Sequence, residues 1–300
     1  MHNLAIAVLC SVIVSVFLKV ARKQNINIAQ AIAFNYIMAI GLSYSFLKPD
    51  FSGQSFGEVV AQNEYSYLFL ALGILLPTVF LVMSKAVESA GIVRSDAAQR
   101  LSLFLPILAS FTIFNEVLSG SRAVSLVLAF TALLCLLWKK DEPQSIVAKS
   151  IAGKSAVGKG WFNLLLVWLG YGVIDILFKQ MAKSGSAFPL TLFVSFCLAA
   201  CVIFIYLLIK QTRWHGKSML GGLLLGVLNF MNILFYIKAH QSYSDNPTLV
   251  FAGMNIGVIC LGTLTGAWLF KEKINKANAI GVGLGIVSII CLFYLDKIIG

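Results

Sequence analysis

Three hundred residues with 59% hydrophobic and only 12% charged side chains lie outside the range of soluble domains, which are about 25% charged. The same figures exclude a disordered chain, poor in apolar residues and rich in charge. The net charge of +11 reads as Lys and Arg held on one side of a membrane rather than a nucleic-acid surface, because no basic run alternates with aromatics.

A bilayer core about 30 Å thick takes roughly 20 apolar residues per helical span. Apolar runs predict ten such spans, at 3–20, 28–47, 66–85, 93–114, 121–138, 161–181, 187–209, 218–239, 246–270 and 277–295. The first lacks a basic leader and a small-residue cleavage site, so it is expected to be a retained span. Residues 49–64 form a polar connection. Residues 141–160, with flanking Lys139 and Lys140, form the most hydrophilic one. All six cysteines lie in apolar stretches and none has metal-site or redox spacing.

The basic break falls at the middle of the chain, and the two sides match. Phe114-Asn115-Glu116 lies over Phe270-Lys271-Glu272, and Lys85-Ala86 over Lys238-Ala239. Phe17-Leu18-Lys19 lies over Leu177-Phe178-Lys179 in the same order. Residues 1–140 and 161–300 therefore read as two five-span repeats joined by a loop at 141–160. An odd number of spans sends the second repeat into the membrane from the opposite side. The expected fold is thus an all-α polytopic membrane protein of ten transmembrane helices in two inverted five-helix repeats. Seventeen of the 23 Lys and Arg residues fall in the odd-numbered connections, which places those in the cytoplasm and both termini outside.

With Glu116 and Glu272 closing the fourth and ninth spans, and Gly281, Gly283 and Gly285 in the last, the chain resembles the drug/metabolite transporter superfamily in its ten-span EamA-like branch. The likeness runs the whole length, with one departure: Ser125 stands where the second repeat has Gly281. The resemblance implies a carrier of small organic metabolites, often an exporter, in a bacterial-type inner membrane. It names no substrate.

Polar groups inside spans are expensive, so each is a candidate for transport. Asp175 and Lys179 share a helical face at i,i+4, either as a structural ion pair or with Asp175 as a coupling carboxylate. Arg94, Gln99 and Arg100 begin the fourth span beside Asp96, as a solvated helix start or as an anion-binding group. Asn35, Tyr36, Trp168, Tyr171, Asn229, Asn232 and Asn255 are further candidates, and for the amides helix–helix hydrogen bonds are the competing reading. Lys85 and Lys238 end spans and either snorkel to the interface or act as gates. Glu116 and Glu272 are expected to cap helix ends or fix short turns.

No phosphate-cradling loop, nucleophile–His–acid set or HExxH occurs, so no enzyme, metal or cofactor is expected. The expected function is secondary transport of a small polar, amino-acid-like or other organic solute by alternating access, in the direction of export. The alternatives are a non-transporting subunit of a larger complex or an intramembrane enzyme. The expected partners are the lipid bilayer and the solute, without nucleic acid, for a monomer or homodimer.

Overall fold

The structure, a computed structural model, describes residues 1–24, 26–137, 154–271 and 274–299. The described residues form α1 (His2–Lys23), α2 (Ile28–Leu47), α3 (Phe56–Gln62), α4 (Ser66–Ala90), α5 (Ile92–Leu101) and α6 (Phe104–Thr112). They continue as α7 (Gly120–Leu137), α8 (Lys154–Lys183), α9 (Phe188–Ile209), α10 (Gly216–Ser242), α11 (Pro247–Phe270) and α12 (Lys276–Ile299), with a 3₁₀ turn at Gly185–Ala187.

Among the described residues, nine helices are long and apolar enough to cross a bilayer. Their outward faces carry Leu9, Ile13, Leu134, Leu165, Leu220 and Ile286, all exposed. Such a surface is unfavourable in water and suits hydrocarbon. Trp161 and Trp268, 71% and 81% exposed, stand near helix ends, where aromatic rings favour the membrane interface. The chain is a multi-pass membrane protein.

The chain divides into two compact units, one of residues 1–81 with 174–244, the other of residues 82–173 with 245–300. Each draws on both halves of the sequence. In the first unit α10 packs on α1 and α2, and α9 on α2. Two glycines make the α2–α10 approach possible. A Cβ on Gly222 would sit 2.5 Å from the Ala31 carbonyl oxygen, and one on Gly226 would sit 2.6 Å from that of Asn35. This is the small-xxx-small spacing that lets helix backbones meet where no hydrophobic force draws them together. The expected polar connection at 49–64 contains α3, opened by a capping box in which the Glu58 Oε2 accepts the Ser55 N–H at 2.7 Å. Val59 of α3 is buried against Phe69 and Val194, which fastens this helix to α4 and α9.

In the second unit the largest interface joins α7 to α12, with α11 packed on both. Gly281 and Gly285 supply the close approach here, the first against Leu136 and the second against Cys260 and Ile256. Ser125, at the position matching Gly281, is fully buried, and its carbonyl accepts the Ser288 hydroxyl at 2.9 Å.

Two features differ from the expected spans. The fourth span, 93–114, is two helices, α5 and α6, meeting at Ser102-Leu103. The cause is Pro106. It has no N–H for the Ser102 carbonyl, and its ring crowds that carbonyl. The Leu105 N–H closes on Ser102 instead, at 3.0 Å, and the Leu103 N–H closes on Arg100 at 3.2 Å. The ladder tightens to 3₁₀ spacing for a turn. Secondly, α8 starts at Lys154, inside the stretch expected as a loop at 141–160. Residues 141–153 of that loop, and the expected cap Glu272, lie outside the described residues.

Candidate functional site

The α5–α6 break shifts hydrogen bonds by one residue and so strands two carbonyls, and both find side-chain donors. The Ser102 hydroxyl donates to the Gln99 carbonyl, and the Trp168 indole N–H donates to the Leu101 carbonyl at 3.0 Å. One turn along α8, Gly172 admits the Leu105 side chain, since a Cβ there would lie 2.5 Å from the Leu105 Cδ1. Trp168 and Gly172 thus seat α8 against the break from one face. On α5, Arg100 Nε lies 3.5 Å from the Asp96 carboxylate, the Arg100 side chain largely covered and Asp96 half-exposed. Gln99 is half-buried on the same helix, whereas Arg94 is exposed at its start. Of the expected group, Trp168 thus contacts the break directly, and Gln99 and Arg100 precede it by two or three residues on α5. Arg94 stands apart from it, and Tyr171 is half-buried on α8.

The first unit holds a second polar group. The Tyr236 hydroxyl on α10 donates to Asp175 Oδ1 on α8 at 3.1 Å. The Tyr236 ring meets His240 edge-on at a centroid distance of 4.8 Å and Phe178 at 6.2 Å. Lys179, buried like His240 to 1% exposure, donates from Nζ to the Ser244 carbonyl at 2.8 Å. Asp175 and Lys179, expected as an ion pair or with Asp175 as a coupling carboxylate, each reach across to α10 or the turn after it.

The amides divide. Asn232 Nδ2 donates to the Ala7 carbonyl of α1 at 2.7 Å, a helix–helix bond. Asn255 Nδ2 donates to Phe251 within its own helix at 3.1 Å. Asn35 and Tyr36 are buried in α2, and the Asn35 Oδ1 has no hydrogen-bond partner among the described residues. Asn229 is half-buried. Lys238 is half-buried with Nζ 5.6 Å from the centre of the Phe235 ring, while Lys85 is exposed at the end of α4.

Glu116 is buried and accepts the Thr248 N–H at 3.0 Å and the Thr248 hydroxyl, so it holds the first turn of α11. Its other oxygen lies 3.5 Å from the Arg122 guanidinium. Burial pushes this carboxyl up from its usual range, against the pull of Thr248 and Arg122. The turn is made by Asn115 at φ +55, a conformation Asn tolerates well.

The sequence places His240 at the end of a span and shows no catalytic arrangement around it. Its spacing of four from Tyr236, like that of Lys179 from Asp175, is the signal that puts the two on one helical face. Pro106 was the corresponding signal for the helix break.

All-helical packing, membrane-length apolar helices and buried polar groups between them define a multi-pass helical membrane protein. The chain is 65% identical to an "Uncharacterized protein" of Haemophilus influenzae over 300 residues, the full length of both, and it belongs to that protein's family. No family model matches it. A solved structure described as "Crystal structure of protein" is similar with a TM-score of 0.73 at 14% identity, covering 100% of this chain and 98% of the other. At that identity the likeness speaks to the fold alone.

Proposed function

We propose that the protein is a secondary transporter of the drug/metabolite superfamily, of the EamA-like kind, moving a small polar organic solute across a bacterial inner membrane by alternating access. The direction is export. The ten spans count α5 and α6 together as the fourth, whose 21 residues reach about 31 Å at about 1.5 Å per residue, enough for one crossing. The two sequence repeats are inverted, so that one arrangement opens inward and its mirror outward.

The observation that carries this reading is the broken fourth segment. Discontinuous membrane helices bring backbone carbonyls and helix ends to solute-binding sites, and irregular backbone is otherwise costly at membrane depth. Here the break at Ser102-Leu103 lies within one helical turn of Gln99 and Arg100, and Arg100 pairs one turn further back with Asp96. A mostly covered guanidinium next to an acid suits a solute carrying a carboxylate and an amine.

The test compares metabolites in medium and cytoplasm for cells overproducing the protein and cells overproducing an Arg100→Ala, Asn255→Ala variant. A solute moved outward by the intact protein alone is the expected result. Identical metabolite profiles, with both proteins folded in the membrane, overturn the reading.

A further inference from the structure

Within the first unit, the connection between α9 and α10, residues 210–215, is a fixed turn. The Thr212 N–H donates to the Leu207 carbonyl at 3.2 Å and the Gln211 N–H to that of Leu208 at 2.9 Å, with Gln211 left-handed at φ +47. Gln30 of α2, fully buried, clamps the rest. Its Nε2 donates to the Arg213 carbonyl, and its Oε1 accepts the His215 N–H at 3.1 Å. The Trp214 ring stacks on Phe204 of α9 at 6.1 Å and meets Phe34 of α2 edge-on at 6.2 Å, yet stays 46% exposed. Lys210, Arg213 and Lys217 are exposed on either side of it in the chain. The helices packed together here, α1, α2, α9 and α10, contain no acidic residue. Beside the cations, Ile205 and Leu208 end α9 and Leu220 begins α10, all as exposed apolar side chains.

We propose that this end of the first unit docks an anionic phospholipid, with Arg213 and Lys217 on its headgroup phosphate and its acyl chains along Trp214 and the exposed Leu and Ile side chains. The guanidinium fork of Arg213 suits a phosphate, and Lys217 adds a point charge. A lipid uses both the cations and the apolar surface, whereas a soluble anion uses only the first. Trp214, amphipathic and braced by two rings, sits at the level where headgroup gives way to chain. The Gln30 clamp holds the connection in place before any lipid arrives, so binding does not have to order it. The proposal is independent of the carrier reading.

The competing account is that these cations only keep the connection on one side of the membrane and select no lipid. To separate the two, the full-length protein is reconstituted in phosphatidylcholine vesicles with a small share of phosphatidylglycerol, one lipid or the other carrying dibrominated chains. Bromine quenches nearby tryptophan, and the difference between each protein and its Trp214→Phe counterpart isolates Trp214. Brominated phosphatidylglycerol is expected to quench Trp214 at least about fivefold more per mole than brominated phosphatidylcholine. Arg213→Gln with Lys217→Gln, both at exposed positions, is expected to bring the two lipids level. Equal quenching in the wild type, or a preference that survives in the doubly neutral variant, overturns the site. Gln30→Leu keeps every charge but frees the connection, and is expected to lose at least half of the preference; a full preference there overturns the clamp. The charge variants decide the site whether or not Gln30→Leu folds. Relief of the quenching by inorganic phosphate, beyond that by chloride at the same ionic strength, makes the occupant a soluble anion and overturns the lipid assignment.

Discussion

At the scale of single residues, Glu116 makes the clearest energetic statement. One carboxylate satisfies the N–H and hydroxyl of Thr248 at the first turn of α11 and faces Arg122. Glu116→Ala leaves these donors without their acceptor, a cost of about 1–3 kcal/mol that a detergent-phase unfolding series measures. Glu116→Gln keeps an acceptor for Thr248 and is expected to cost less. Burial raises the carboxyl in the folded protein above its usual 4.5. The folded state therefore holds the proton more tightly than the unfolded one. This contribution to stability is fully present in acid and is lost as pH rises through the raised value. The stability of the wild type relative to Glu116→Gln should accordingly decline from about pH 4.5 upward; a flat difference contradicts the assignment.

At the scale of elements, the helix break and the glycine crossings decide how segments pack. Pro106→Ala restores the missing N–H to Ser102, so α5 and α6 should fuse into one helix. Slower amide exchange at residues 102–105, together with weakened transport, is the expected pair of results, because the continuous helix no longer offers the Leu101 carbonyl to Trp168. Gly226→Val acts in the opposite sense. Its Cβ would stand 2.6 Å from both the Asn35 carbonyl oxygen and the Met38 Cβ, so α2 must move away from α10. Backbone atoms cannot rotate aside as a side chain does, and loss of folded protein in the membrane is expected, read by size-exclusion in mild detergent.

The limits of legibility lie at this same scale. Hydropathy located the spans well because lipid imposes a length on every helix, and nine of the ten runs return as long helices within a few residues of their ends. The fourth did not, because apolar composition is blind to one missing N–H at Pro106. The 49–64 connection hid α3 because a seven-residue helix has too few turns to show a period, although Ser55 and Glu58 spell its start. Polar residues inside spans were legible as costly, but not their partners. Asp175 and Lys179 look like a pair on one helix and instead reach Tyr236 and Ser244, across a packing that only the fold provides.

At the scale of the whole molecule, the distribution of Lys and Arg predicts that the basic connection around residues 141–153 faces the cytoplasm. A single cysteine placed there should react with an impermeant maleimide only after the cells are opened; labelling of intact cells contradicts the orientation. The apolar outer faces of both units suit a bilayer, and on the transporter reading the protein moves a solute through it. The most direct test reconstitutes the purified protein into liposomes loaded with isotope-labelled polar metabolites and follows what escapes. One solute, or a chemically related few, is expected to leave faster than from empty liposomes, and Arg100→Ala is expected to abolish the difference. Equal retention of every metabolite in liposomes with and without the folded protein would contradict it.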